Sequence, residues 1–370
     1  MAQNILEILS FKTYSEEYRR IESGIPDLLP EGFLTNTKPC RGDSTRILVR
    51  DGQRKVMTRV AYGSPARGVD KMNTSRVDRK LIHFYESIPF DPLLKMQLRD
   101  GIGVGSLGDA AVNETRYQIA EFKQRQVNTR IACAKTMLSL TSDGTINFDS
   151  DGDLQPSQSG AALTITSSQV PANNRDQLNA IIGTSWATDS ADILGDIAAI
   201  KQQAAQLTGK QLKYAFYGIN IPEYMASNTV LLNFMARTAP YAAEVLARGE
   251  VPRELLGLTW IPMHLAFFED ADGTNQTFFG AEHVTFTPDP ADFWTVHEGS
   301  YAVPTTTGIA GDPGSPGDGW SEQTGMFSFF YRSFERGVLQ EEFYAGDTFL
   351  PDMHANMGAA CPVFLADVTP

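Results

Sequence analysis

From Asn113 to Leu140 the sequence runs without a Gly or a Pro, and this stretch constrains the fold more than any other. Tyr117, Ala120, Val127, Ile131, Ala134 and Leu138 recur along it at spacings of three, four and seven. On a helix of 3.6 residues per turn those positions line up as one apolar stripe. Arg116, Lys123, Arg130 and Lys135 keep the other faces polar. At 1.5 Å per residue, about 27 residues make a rod of ~40 Å, well beyond the usual three turns. The pattern therefore predicts a long, one-sided helix over about 111–140.

The segments before the rod look unable to fold alone. Ile5, Leu6, Ile8 and Leu9, with Tyr14 and Tyr18 beyond, suit a short amphipathic helix, and the Pro/Gly-rich stretch IPDLLPEGFLTNTKPC follows it. Residues 1–44 thus read as an arm. From Thr45, Ile47, Val49, Val56 and Val60 interleave with Arg46, Arg50, Arg54 and Arg59. Turn signals stand at Asp51-Gly52 and at Tyr62-Gly63-Ser64-Pro65, and a second limb returns from Val69 to Phe90. This is the pattern of a long hairpin with too few large apolar residues for its own core. A two-stranded ribbon is marginal in water, so this one must rest on another surface.

Charge is divided along the chain in the same way. Residues 1–140 hold 22 Lys+Arg against 16 Asp+Glu, and residues 141–370 hold 9 against 28, so +6 precedes −19 and the sum is −13. Residues 41–90 alone carry 11 bases against 5 acids. A basic strap on an acidic body suits a chain whose strap lies on another copy, because complementary fields steer encounter and fix register. The plainer alternative is a solvated basic hairpin.

After the rod, SDGTINFDSDGDLQPSQSGAALTITSS reads as a β segment with Ile146, Phe148, Leu163 and Ile165 as its apolar teeth. An α/β body begins after Val170. Ile193, Ile197, Ile200, Ala204 and Leu207 form the buried stripe of a helix over 190–207 that Gly209 stops. A strand over 214–217 leads to Asn220 and Pro222, a cap and first turn for a brief helix. One further helix is expected over 229–248, closed by Gly249. Strands follow over 258–263 and within 278–288, and PTTTGIAGDPGSPGDG (304–319) is a loop by composition. The aromatic strand FSFFYRSF (327–334) and the apolar segment AACPVFLADV (359–368) come last.

Composition excludes several function classes. A pI near 4.9 argues against duplex DNA or RNA as the main ligand, since that affinity comes from neutralising phosphates. Cys40, Cys133 and Cys361 are too dispersed for a disulfide framework and fit a reducing compartment. The first twenty residues are too polar for a signal peptide, and no apolar run reaches the roughly 18 residues of a membrane span.

Patterns that invite chemistry are weak. Gly103, Gly105 and Gly108 match the glycine spacing of a dinucleotide loop, but a poor strand precedes them and a basic helix replaces the acid expected about 20 residues on. The plainer reading is a flexible joint entering the rod. Asp149, Asp151 and Asp153 resemble the start of a calcium loop, yet Leu154 and Gly160 occupy its glycine and bidentate-acid positions, which favours an acidic β-turn. His83, His264, His283, His297 and His354 are scattered, and no Ser/His/Asp or Cys/His arrangement assembles locally. The sequence supports no catalytic site, no metal site and no cofactor.

The order of elements, together with KYAFYGINIPEYMASN, FFGAEHVTFTPDP and ACPVFLADVTP, resembles the tailed-phage major capsid proteins of the Hong Kong 97 capsid fold, in particular the lambda-type major capsid (protein E) family. The resemblance is dispersed over most of the chain from about residue 40. It implies an α+β fold with an N-terminal arm (1–44), an extended β-hairpin loop (45–88) and a peripheral domain (89–175) holding a spine helix over about 111–140. An α/β axial domain (176–322), a return strand (323–345) and a segment packing on the axial domain (346–370) would complete it. The loop at 304–319 is longer than that pattern suggests.

The resemblance further implies a non-enzymatic protein that assembles into pentamers and hexamers, forming the icosahedral shell around a double-stranded DNA genome. Its partners would be copies of itself, a portal, a separate scaffolding protein, a decoration protein and DNA held non-specifically inside, with no membrane. It would be assembled in the host cytoplasm and reside in the virion. Arg46, Arg50, Arg54, Lys55, Arg59, Arg76 and Arg79 are the expected inter-subunit contacts. The alternatives are an encapsulin-type cellular shell, a scaffold or tail component, and a nucleotide-binding enzyme using the glycine motif.

Overall fold

The computed structural model describes residues 29–50, 74–89, 107–139, 144–157, 159–166, 170, 174–177, 181–265, 267–269, 273–304, 320–335, 338–353 and 363–368. In chain order the elements are α1 (Gly32–Thr35), β1 (Thr37–Pro39), β2 (Ser44–Arg50), β3 (Thr74–Lys80), β4 (Ile82–Pro89), α2 (Leu107–Leu138), β5 (Thr145–Phe148), β6 (Leu154–Gln155), β7 (Leu163–Thr166), β8 (Arg175–Gln177), α3 (Ile193–Thr208), β9 (Tyr214–Tyr217), α4 (Ile221–Ser227), α5 (Thr229–Thr238) and α6 (Pro240–Ala247). They continue with β10 (Glu254–Leu255), β11 (Leu258–Pro262), β12 (Phe268–Glu269), β13 (Asn275–Gln276), β14 (His283–Thr287), α7 (Pro290–Phe293), β15 (Thr295–Glu298), β16 (Ser300–Pro304), β17 (Trp320–Thr324), β18 (Met326–Glu335), β19 (Val338–Asp352) and β20 (Phe364–Asp367). The chain is mixed α+β and divides into two compact units, residues 1–44, 80–134 and 296–351, and residues 45–79, 135–295 and 352–370.

In the first unit a five-stranded sheet runs β1-β15-β19-β18, with β4 also on β19. β18 and β19 form a long antiparallel hairpin from Met326↔Asp347 to Glu335↔Val338. β4 lies antiparallel to β19 from Ile82↔Phe349 to Pro89↔Glu342. Residues 82–89 therefore belong to this sheet, whereas the sequence reading placed them in the returning limb of the hairpin. Leu81 marks the change: it is buried, and its N–H donates to Asp43 O.

α2 lays Phe122, Gln126 and Arg130, one residue per turn, along β19. Phe122 meets Phe343 edge-on at 5.8 Å. Gln126 Nε2 donates to Gly346 O at 2.6 Å and Phe327 O at 3.3 Å. Arg130 forks onto Asp347 (Nε–Oδ2 2.6 Å, Nη2–Oδ1 2.8 Å) and gives Nη1 to Glu298 Oε1 at 2.7 Å. This close packing explains Gly346, where a Cβ would sit 2.4 Å from Phe327 Cζ and 2.6 Å from Phe84 O.

The rod exists, over 107–138, but its periphery differs from the expectation. Tyr117, assigned to the apolar stripe, is 72% exposed. Arg130 and Lys135, assigned to polar faces, are buried, because each finds partners inside. Lys135 Nζ donates to Met263 O at 2.9 Å and lies 5.2 Å over the Phe268 ring. From Arg130 to Ser139 every residue is buried, so this end of the helix is enclosed on all sides and not on one.

In the second unit a six-stranded sheet runs β10-β11-β9-β14-β20-β8. β9 is parallel to β11 and antiparallel to β14, and β20 is antiparallel to β14 and parallel to β8. One face, Ala215, Tyr217, Val284, Phe286, Phe364 and Ala366, packs with Ile193, Ile197, Ile200 and Ala204 of α3 in one buried cluster. On the other face Thr285 Oγ1 donates to Leu138 O at 2.5 Å, where α2 ends.

α3 starts with Asp192 accepting from Gly195 N and ends at Gly209 in the left-handed region, φ 69°. That conformation costs a residue with a Cβ more than it costs glycine. The helix expected over 229–248 is two helices, because Pro240 offers no N–H and bars helical geometry before it, with Ala239 at φ −149°. Asn220 precedes α4 without a side-chain cap; its amide instead donates to Glu282 Oε1 at 3.4 Å. The amphipathic segment over 5–18, the hairpin turn around 51–73 and most of the loop over 304–319 lie outside the described residues.

Candidate intersubunit surface

Among the described residues, β2 and β3 pair with each other and with no other strand, as a two-stranded sheet. Arg46 Nε donates to Asp78 Oδ1 at 2.9 Å across the strands, with the two side chains 66% and 60% exposed. An ion pair so open to water contributes ~0–1 kcal/mol and leaves Arg46 able to exchange partners. Side chains alternate along a strand, so this bond puts Arg46 and Asp78 on one face of the ribbon, with Lys80 on the face of Asp78 and Arg79 on the other.

Of the seven expected contact residues, the structure places Arg46, Arg50, Arg76 and Arg79 on this ribbon. Arg54, Lys55 and Arg59 lie outside the described residues. Arg46 is exposed and Arg79 half-buried.

Sequence reasoning missed a groove in the first unit. Glu86, Ser87 and Ile88 of β4 and Glu121, Phe122 and Arg125 of α2 enclose about 330 Å³. Arg125 reaches Glu86 Oε2 at 3.3 Å and Glu121 Oε1 at 3.1 Å, with all three side chains more than half exposed. Partial burial lowers the Arg125 pKa, but Glu86 and then Glu121 outweigh it and the net direction is upward. The Glu121–Arg125 pair at i, i+4 was visible in the sequence as a helix-surface pair. Its union with Glu86 requires β4 to sit beside α2, which the hairpin reading precluded.

The motifs that invited chemistry stay apart. Gly108 lies inside α2, and Gly103 and Gly105 lie outside the described residues. Asp149 Oδ1 accepts from the N–H groups of Asp151 and Asp153, both at 2.9 Å, which is an acidic turn closed by its own backbone. Among the described residues no group of three or more His, Cys, Asp or Glu is placed to hold a metal ion. His83 is bonded to Thr348 Oγ1 at 2.7 Å, and Cys40 Sγ lies 3.7 Å from His297 Nδ1. Cys133 is fully buried, and burial pushes its thiol pKa strongly up, so it is a packed thiol and not a nucleophile. Among the described residues no helix is long and apolar enough to cross a membrane.

Apolar surface is concentrated on the second unit. Val230 and Phe234 stand one turn apart on α5, and Tyr241 on α6 is 79% exposed. Ile219 follows β9, and Leu265 and Phe267 follow β11.

No family model and no curated protein matches the sequence. Solved structures do. The chain is similar to the capsid of a native GTA particle, at 11% identity over 94% of each chain with a TM-score of 0.45. It is similar to a phage-related protein from Bordetella bronchiseptica RB50, at 11% identity over 97% of each chain with a TM-score of 0.45. It is also similar to the virus-like particle from Pyrococcus furiosus, at 9% identity over 96% of each chain with a TM-score of 0.38.

Proposed function

We propose that the chain is the repeating subunit of an icosahedral shell, a tailed-phage major capsid protein of the Hong Kong 97 fold. The observation that carries this reading is the β2–β3 ribbon, paired with no other described strand, basic in composition and exposed at Arg46. A lone two-stranded ribbon is marginal in water, so its partner surface is the neighbouring copy, and repetition of that contact under rotational symmetry closes a shell. The exposed Val230, Phe234 and Tyr241 add aromatic and aliphatic surface of the kind that subunit interfaces enclose.

In this reading the subunits form pentamers and hexamers around double-stranded DNA, and Arg46, Arg50, Arg54, Lys55, Arg59, Arg76 and Arg79 meet acids of adjacent copies. The protein performs no catalysis and needs no cofactor. A portal, a separate scaffolding protein and a decoration protein are its partners, assembly takes place in the host cytoplasm, and the product is the virion.

Negative-stain microscopy of the purified protein tests the reading, with closed shells of uniform diameter as the expected result. Tubes or unassembled monomers overturn it. Nucleic acid inside particles recovered from infected cells supports a capsid, whereas an enclosed enzyme overturns the phage assignment in favour of a cellular compartment. R46E/R50E/R54E/R59E is expected to leave a folded monomer that makes no shells.

A further inference from the structure

The fold of the first unit brings a thiol and an imidazole together from positions 257 residues apart. Cys40 follows β1, which runs parallel to β15 with Pro39 level with Glu298. Its N–H donates to Glu298 O at 2.7 Å, and the N–H of Gly42 donates to Ser300 Oγ at 2.9 Å, so the backbone is pinned around the sulfur. Cys40 Sγ lies 3.6 Å from Lys38 O and 3.7 Å from His297 Nδ1, hydrogen-bonding distances for an atom as large as sulfur. His297 is buried, whereas Cys40 is only half-buried. Lys38 and Arg41, both exposed, flank it in sequence.

We propose that Cys40 is a modification site, a thiol that exchanges with small anionic disulfides and uses His297 as its base. With the imidazole proton carried on Nε2, Nδ1 accepts the proton of the Cys40 thiol. The sulfur then attacks one sulfur of the incoming disulfide. A new S–S bond forms at Cys40, the old one breaks, and the departing thiolate takes the proton from His297 Nδ1. Cys40 is thereby oxidised to a mixed disulfide, and half of the small disulfide is reduced to a thiol. The step caps each chain once and involves no turnover. Lys38 and Arg41 favour an anionic reagent, because positive charge draws carboxylates towards the sulfur.

Glutathione disulfide added to the full chain at pH 7, followed by peptide mass mapping, tests the proposal. Cys40 is expected to carry the adduct, while the fully buried Cys133 does not. An unaided thiol is only a few per cent ionised at pH 7, so removing the base in H297Q should slow capping about tenfold. Between pH 6 and pH 8 the H297Q rate should climb about tenfold per pH unit, and the parent rate less steeply, because exchange follows the thiolate fraction. A histidine that merely packs against the sulfur leaves the two slopes equal. The uncharged 2-hydroxyethyl disulfide should react more slowly than glutathione disulfide, and K38Q/R41Q should erase that preference.

Equal rates and slopes for the parent and a folded H297Q overturn the proposal. So does capping of Cys40 that is no faster in the folded chain than in urea. A preference for the anionic reagent that survives K38Q/R41Q overturns the assigned selectivity. If H297Q does not fold, H297N takes its place with the same expected loss and the same overturning result.

Discussion

Arg130 holds two carboxylates at once, Asp347 and Glu298, and lies 5.1 Å beneath the centre of the Phe349 ring. Burial by itself lowers its pKa, but hydrogen bonding and charge attraction from Asp347, then Glu298, carry it upward. Arg130→Met removes the cation and strands both acids in the interior, a change that typically costs about 3–5 kcal/mol. A fall of that size in unfolding free energy by urea titration is expected, and a loss under 1 kcal/mol would refute the assigned role. Nothing near Arg130 in sequence announces this, because its partners are strands made much later in the chain. Ile131, Ala134 and Leu138 were legible because an apolar side chain on a periodic stripe needs no identified partner. The histidines make a second residue-scale case. Burial lowers the pKa of His83, His264 and His283 from 6.5, so each stays neutral in the fold where the unfolded chain would bind a proton. Their contribution is complete above pH 6.5 and is lost as pH falls through the depressed folded values. Urea midpoints should fall between pH 7.5 and pH 5.5, and a flat profile would contradict this.

Elements were legible where a local signal sufficed. The start of α5 shows how much more a cap can carry: Asn228 Oδ1 accepts from Leu231 N at 2.8 Å, and its Nδ2 donates to Ala191 O at 2.8 Å. Because Asn228 is fully buried, Asn228→Ala removes a helix cap and orphans a carbonyl together, for a combined loss of about 2–4 kcal/mol. Thermal denaturation should show the drop, and a change below 0.5 kcal/mol would exclude the double role. α3 was readable from its isoleucine stripe and Gly209. The single helix expected over 229–248 overlooked Pro240, a backbone breaker set among good helix formers. The assignment of β4 failed for another reason. Residues 82–89 carry the same mixed alternation as a ribbon limb, and only the partner strand β19 decides which sheet they join. The groove residues Glu86 and Glu121 were hidden by that same ambiguity.

For the whole molecule, the division of charge into a basic front and an acidic remainder predicts a salt response. Raising ionic strength from 0.1 M to 1 M shortens the screening length from about 10 Å to about 3 Å. Assembly should then slow several-fold while monomer stability stays nearly constant, as light scattering beside urea titration can show; salt-independent assembly would argue for an apolar contact instead. The arrangement of unit boundaries was not readable from sequence, since each unit is built from three separated segments. The topology of the second unit sets a timetable as well as a shape. β20 fills the place between β14 and β8, yet it is the last of the described elements to be made. Until it arrives, one edge of β14 is unpaired and β8 has no strand to join, and such edges invite pairing with other chains. A ribosome translating this message therefore carries an open sheet from the completion of β14 at Thr287 until β20 begins at Phe364, and segments with long-range closure of this kind fold slowly. Yield of soluble protein should depend more on what shields the nascent chain than on the stability of the finished subunit.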